Sequence, residues 1–130
     1  MKNLLFILLL VATACFVGCK KDKSCAMEGN WDAKSITVDG VETVGAGINS
    51  ATIEFEACEN NVGDFNIDFL YIDGTSEKLT GEYEVKEGDE LRLTYNDGSF
   101  EDWDFVVKNN DLTLTGNING TSMIMKFEKD

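Results

Sequence analysis

Short runs in which apolar and polar residues alternate fill the chain from Gly29 onward. Ile53 and Phe55, for example, stand on either side of Glu54. Because successive side chains of a β-strand point to opposite faces, this period of two predicts strands with one buried face and one face in water. The same pattern recurs in later runs, at residues 65–71, 79–85, 91–95, 103–107, 112–114 and 123–127.

Turn-forming residues separate these runs at short intervals. Glycine, asparagine and aspartate adopt positive φ angles readily, so such pairs favour tight reversals between strands. With a first strand over residues 30–38, the sequence predicts eight strands, and only the connection at 41–50 is long enough for a short helix or a flap. The turn sequences are Asp39-Gly40, Asn60-Asn61, Asp73-Gly74, Glu87-Gly88-Asp89, Asn96-Asp97-Gly98, Asn109-Asn110 and Asn119-Gly120.

Eight consecutive antiparallel strands with one apolar face can close into a barrel or fold into a two-sheet sandwich. Closure leaves no strand edge exposed to aggregation. The chain contains no proline, so nothing in its sequence interrupts the strands. We therefore predict an all-β fold, an eight-stranded antiparallel up-and-down β-barrel over residues 29–130.

The beginning of the chain has the layout of a secretory signal peptide. Lys2 supplies the positive start, residues 4–11 are apolar, and small residues lead to a cysteine. The apolar stretch is too short to span a bilayer. The four residues that end at Cys19 resemble the lipobox of bacterial lipoproteins.

That resemblance implies a diacylglyceryl group on Cys19 and therefore an anchor in the membrane. It also implies a cleaved lipoprotein signal peptide over residues 1–18 and a lipidated tether over residues 19–28. Cys15 is a weaker competing site for lipidation. An ordinary secreted protein with a coincidental cysteine is the alternative.

Charge and composition exclude several classes of function. Loss of Lys2 with the signal peptide leaves 10 basic against 24 acidic residues, a formal net charge of −14. Such a surface repels nucleic acid. The chain has no histidine, so imidazole bases and histidine metal sites are impossible. No pair among the acidic residues is singled out for carboxylate catalysis, and we predict no enzymatic activity, no metal and no cofactor.

A tryptophan motif opens the first predicted strand. Gly29 and Trp31 form a Gly-x-Trp sequence just after the tether. With a meander of eight strands behind it, this motif resembles the lipocalin superfamily, and most closely the lipocalin-like domains of bacterial lipoproteins. The resemblance implies that Trp31 packs across the closed end of the barrel. The domain is shorter than typical lipocalins and shows no carboxy-terminal helix after Phe127.

Two cysteines remain in the mature domain besides Cys19. Cys25 precedes the first predicted strand and Cys58 ends the second. The two positions fall at the same end of an antiparallel hairpin, and an oxidising envelope permits a disulfide between them. Two free thiols are the alternative. The disulfide would lie at the end of the barrel near the membrane. The connections at 41–50, 73–78, 96–99 and 117–120 would then lie at the far end, with 41–50 as a candidate flap.

The inward face of the predicted barrel is rich in aromatic side chains and methionine. Its candidate ligand-binding residues are Phe55, Phe69, Tyr83, Tyr95, Trp103, Phe105, Met123 and Met125. They could line an apolar cavity. They could equally fill the core, because the interior of an eight-stranded barrel is only just wide enough for side chains.

A few apolar residues fall on the outward register of the strands. Ile36, Val38 and Ile124 could form one patch, since the first and last strands of a closed barrel are neighbours. Two functions therefore remain open for a lipid-anchored protein of the cell envelope, most simply placed at the outer membrane. One is the binding of a small apolar ligand. The other is the binding of an envelope protein by a barrel with a filled core.

Overall fold

A computed structural model of the protein describes residues 26–87 and 89–130. The signal peptide, Cys19 and Cys25 lie outside the described residues. The described part of the chain forms strands β1 (Gly29–Val38), β2 (Val41–Glu42), β3 (Ile48–Phe55), β4 (Val62–Tyr71), β5 (Ser76–Lys86), β6 (Glu90–Tyr95), β7 (Phe100–Lys108), β8 (Asp111–Ile118) and β9 (Thr121–Lys129). Within the described residues no helix is long and apolar enough to cross a membrane.

The strands form one closed antiparallel barrel. From β3 to β9 each strand pairs with the next one along the chain, and β1 pairs with both β3 and β9. β2 is a two-residue strand that pairs only with the end of β1. The predicted eight-stranded up-and-down barrel is therefore confirmed, with β2 as an addition to it.

Asparagine and aspartate occupy the tight turns, because these turns require positive φ angles and both residues tolerate them. Asn109 and Asn119 have φ angles of 57° and 53°, and Asp39 has a φ angle of 50°. These turns divide the barrel into two ends. We call the end that holds residues 26–28, 56–61 and 109–110 the near end, and the end that holds residues 39–47, 72–75, 96–99 and 119–120 the far end.

Large side chains fill the near end. Trp31 is fully buried, and its indole Nε1–H donates a hydrogen bond of 2.9 Å to the backbone oxygen of Met27. Met27 lies in the segment predicted as a tether, but its side chain is part of the core. The rings of Phe55 and Tyr83 pack edge to face with their centroids 4.9 Å apart. This half of the barrel is packed with large buried side chains.

A β-bulge in β1 corrects the expectation of an outward apolar patch. The register of β1 against β9 shifts between Ala33 and Ser35, so Lys34 is an extra residue on the β1 side. A bulge of one residue reverses which face the following residues occupy. Ile36 is consequently buried rather than exposed, with 2% of its surface accessible. The predicted patch of Ile36, Val38 and Ile124 does not form, so the protein-partner alternative is left with the far-end connections as its surface.

The second predicted strand lies earlier in the chain than expected, because β3 begins at Ile48, within the connection predicted at 41–50. β3 ends at Phe55, whereas the alternation pattern extended it to Cys58. Cys58 lies beyond the strand, where its backbone N–H donates a 2.9 Å hydrogen bond to the Glu28 side chain. The residues just before β1 and the residues after β3 are therefore in contact. Because Cys25 lies outside the described residues, its disulfide with Cys58 stays a prediction.

The segment predicted as a flap is fastened to the barrel. β1 pairs with β3 only from Gly29 to Asp32, and beyond that point the short strand β2 pairs with β1 instead. Val44 packs against the core. The N–H of Ile72 donates to the backbone oxygen of Gly47 at 3.1 Å. Residues 41–47 thus cover the place where β1 and β3 separate.

Candidate ligand cavity

The half of the barrel toward the far end encloses a cavity of about 150 Å³. Its wall comes from seven of the eight barrel strands, because each strand turns every second side chain inward. The lining side chains are apolar apart from the Tyr95 hydroxyl, the Glu101 carboxylate and the indole N–H that Trp103 carries. The lining residues are Ile36, Ala51, Ile53, Ile67, Phe69, Leu79, Leu93, Tyr95, Glu101, Trp103, Met123, Met125 and Phe127.

Small residues explain why space remains at this level of the barrel. Ala51 lines the cavity next to Phe69, its partner on the neighbouring strand β4. The methyl group of Ala51 fills little of the barrel interior. Gly116 stands under the indole of Trp103, where a Cβ atom would come within 2.7 Å of Trp103 Cε3. The missing side chain lets the indole pack closely against β8.

The structure brings five of the eight candidate ligand residues to the cavity. Phe69 comes from β4, Tyr95 from β6, Trp103 from β7, and Met123 and Met125 from β9. These strands are joined by the far-end turns or lead into them, so their inward residues meet in the same half of the barrel.

The other three candidates do not line the cavity. Phe55 and Tyr83 belong to the packed near end, where the Tyr83 hydroxyl donates a 2.6 Å hydrogen bond to the backbone oxygen of Glu56. Phe105 packs against the core in the half of β7 that approaches the near end. Alternation predicts that a side chain faces inward, but it does not say at which height in the barrel the space lies.

Trp103 carries a hydrogen-bond donor for which the described residues offer no acceptor. Its side chain is 97% buried, and its Nε1–H has no hydrogen-bond partner among the described residues. A buried donor without a partner costs on the order of 1–3 kcal/mol, so such groups are rare in folded proteins. Trp103 lines the cavity, and its indole nitrogen is itself shielded from solvent.

A polar pair marks the far end of the cavity. The Tyr95 hydroxyl donates a hydrogen bond of 2.5 Å to Glu101 Oε1. Burial and this hydrogen bond raise the pKa of the Tyr95 hydroxyl, which therefore stays protonated and keeps donating. Glu101 is not among the ligand-binding residues that the sequence predicts. The period of two along β7 could have identified it, because Glu101 and Trp103 both lie on the inward face of the strand.

The cavity has the chemistry of a binding site. A dry apolar cavity of this volume accommodates one aromatic ring such as benzene. Within the described part of the chain, no group of three or more cysteine, aspartate or glutamate side chains could hold a metal ion. The site combines an apolar wall with one acidic group and the tyrosine that donates to it.

Comparison with family models and with curated proteins finds no match. Solved structures do match. A redesigned β-barrel superposes with a TM-score of 0.62 at 14% sequence identity, covering 81% of this chain and 92% of its own. A lipocalin-like protein from Bacteroides uniformis superposes with a TM-score of 0.56 at 20% identity, covering 81% of this chain and 99% of its own.

The siderocalin Ex-FABP gives a TM-score of 0.57 at 9% identity, covering 81% of this chain and 74% of its own. The fold is that of the lipocalins. At these sequence identities the similarity extends to the path of the backbone only. The chemistry of this barrel depends on its own side chains.

Proposed function

We propose that this chain is a non-catalytic lipoprotein of the cell envelope whose lipocalin-type barrel binds a small, largely apolar ligand. The observation that carries the proposal is the cavity of about 150 Å³ with an almost entirely apolar wall. The alternative of a filled core fits the near end of the barrel only.

Energetics support a binding role for the space. At about 24 cal/mol per Å³, a void of this size corresponds to on the order of 3–4 kcal/mol of lost packing. That is a large part of the net stability of a small domain. A ligand that fills the void would restore packing contacts to the lining side chains.

The anchor and the cavity are compatible in position. β1 begins at the near end, so the lipid on Cys19 and the tether would hold that end toward the membrane. The far end with its cavity would then face away from the lipid. The predicted Cys25–Cys58 disulfide would fasten the same near end, since Glu28 already contacts Cys58 there.

Native mass spectrometry of the protein isolated from its own host, with the lipid anchor removed, tests the binding role. We expect a discrete added mass that denaturation releases. The matched pair of variants is Ala51→Leu and Thr52→Leu. The first adds its carbon atoms inside the cavity, and the second adds apolar atoms on the exposed face of the same strand.

The Ala51→Leu protein should lose the added mass, whereas the Thr52→Leu protein should keep it. Circular dichroism would establish that both variants are folded. An added mass that survives in folded Ala51→Leu would place the ligand elsewhere and reject the cavity as its site. A bare mass for the wild-type protein would favour the protein-partner alternative.

A further inference from the structure

The cavity wall contains one charged side chain, and it is negative. Glu101 is the only acidic residue among the lining residues, and no lysine or arginine is among them. Tyr95 donates to one oxygen of its carboxylate. Within residues 26–87 and 89–130, the ion pair found joins Arg92 to Asp102 on the outer surface, so Glu101 has no cation beside it.

A second carboxylate would be unfavourable in this environment. Two like charges in a largely apolar cavity repel strongly, because few water molecules or counter-ions screen them. A carboxylate ligand would face Glu101 without any positive group to compensate. The charge of Glu101 therefore disfavours anionic ligands. Long-chain acids are in addition too large for the volume of the cavity.

An organic cation would be favourable for three reasons. Its ammonium group would donate charge-assisted hydrogen bonds to Glu101. Phe69, Tyr95 and Trp103 line the same cavity, and a ring face turned toward the cation would add a cation–π contact. The formal net charge of −13 attracts cations to the barrel from solution.

We propose that the cavity selects single-ring organic amines, with Glu101 as the counter-ion, and excludes carboxylates of the same size. This inference rests on the proposed function and specifies its ligand class. The volume of about 150 Å³ sets the limit of one ring with a short substituent. Glu101 is the specificity-determining residue, and the apolar wall supplies contacts that are common to every ligand in the class.

Isothermal titration with benzylamine, benzyl alcohol and benzoate tests the inference, because the three probes share a ring and differ in charge. We expect the wild-type protein to bind benzylamine most tightly, benzyl alcohol more weakly and benzoate not measurably. In the Glu101→Gln variant, benzylamine affinity should fall roughly tenfold or more. Benzyl alcohol affinity should change less than about threefold, and the glutamine can still accept from Tyr95.

The matched control is Asp104→Asn. Asp104 lies on the same strand but on its exposed face, so the variant removes the same charge without touching the cavity. Benzylamine affinity should stay within about twofold of wild type. A similar loss in both variants would show that net charge alone attracts the amine, and would overturn the role of Glu101.

The outcomes separate the two proposals. Benzoate binding as tightly as benzylamine, or benzylamine affinity unchanged in Glu101→Gln, would overturn the amine selectivity while leaving a ring-sized binding site intact. Failure of all three probes to bind the folded wild-type protein would overturn the ligand-binding function itself.

Discussion

Two tryptophans share the interior of this barrel and differ in one hydrogen bond. Trp31 donates to the backbone of Met27 and closes the near end, whereas Trp103 lines the cavity with its Nε1–H unpaired within the described residues. The sequence predicts both as inward-facing. It does not predict which one is satisfied, because the acceptor for Trp31 belongs to a residue that precedes the first strand.

Gly116 is expected to control the position of Trp103. In Gly116→Ala the new Cβ atom would lie 2.7 Å from Trp103 Cε3, so the indole must shift away from β8. We expect the free energy of unfolding to fall by about 1–3 kcal/mol, as in other overpacked cores. Ligand affinity should fall with it. Chemical denaturation measures the first effect and titration the second.

Gly47→Ala is the control for that substitution. Nothing lies within 4 Å of a Cβ atom at Gly47, and its φ angle is not in the left-handed region. This variant should be neutral or slightly stabilising, since alanine reduces the entropy of the unfolded chain. An equal loss of stability in both variants would show that the packing of Trp103 on Gly116 is not the cause.

Tyr83 should make stability fall at high pH. Burial, assisted by the charges of Glu28 and other nearby carboxylates, raises the pKa of its hydroxyl to about 12. Its contribution is complete below the ordinary tyrosine value of about 10 and is lost as the pH rises to about 12. Denaturation at several pH values should show a shallower alkaline loss in Tyr83→Phe than in wild type.

At neutral pH, Tyr83→Phe should lower the free energy of unfolding by about 1 kcal/mol, because the hydrogen bond to the Glu56 carbonyl is lost. Parallel pH profiles for the two proteins would contradict the assigned role of the buried hydroxyl.

Among the strands, alternation and turn chemistry predicted all eight members of the barrel and their order along the chain. The first strand was predicted in extent but not in register. Nothing in its local sequence distinguishes the bulge at Lys34, which is stabilised by the burial of Ile36 and by contacts with β2. Those contacts are tertiary, so a local pattern cannot reveal them.

Glu42 is the residue that fastens β2 to the bulged part of β1. One carboxylate oxygen accepts from the Ser35 hydroxyl at 2.5 Å, and the other accepts from the Ile36 N–H at 2.9 Å. These hydrogen bonds lower the pKa of the Glu42 carboxyl below its ordinary value. The stabilisation is present above the ordinary glutamate pKa and is lost as the pH falls through the lowered one.

Glu42→Gln should therefore be less stable than wild type at about pH 7, and the difference should shrink at about pH 3. Denaturation at the two pH values checks this. Glu82→Gln, on the exposed face of β5, removes one negative charge elsewhere and reports the effect of net charge alone. A Glu42→Gln difference that is equal at both pH values would show that ionisation of Glu42 is not what fastens β2.

At the scale of the whole molecule, the barrel is filled at one end and hollow at the other. The sequence left a cavity and a filled core as alternatives because both ends carry aromatic residues. What decides between them is the level at which small residues such as Ala51 face large ones across the interior. That level depends on strand register around the entire barrel, which no single run of residues contains.

Membrane attachment through Cys19 is a prediction for the full-length protein in its host. Cys19→Ser removes the thiol that would carry the lipid, so the protein should leave the membrane fraction. Cys15→Ser should leave attachment unchanged, because Cys15 is the weaker competing site. Membrane fractionation followed by immunodetection measures both variants. A Cys19→Ser protein that remains in the membrane fraction would refute the lipid anchor at this position.

The most direct test of the central claim uses the two indole N–H resonances in the proton–nitrogen NMR spectrum. The chain has two tryptophans, and Trp103→Phe assigns their signals by removing one. On titration with benzylamine and benzyl alcohol, the Trp103 signal should shift and saturate. The Trp31 signal should stay in place, because its N–H is bonded to Met27 in the packed near end. A Trp103 signal that does not move with either compound would contradict a ligand cavity in the far half of the barrel.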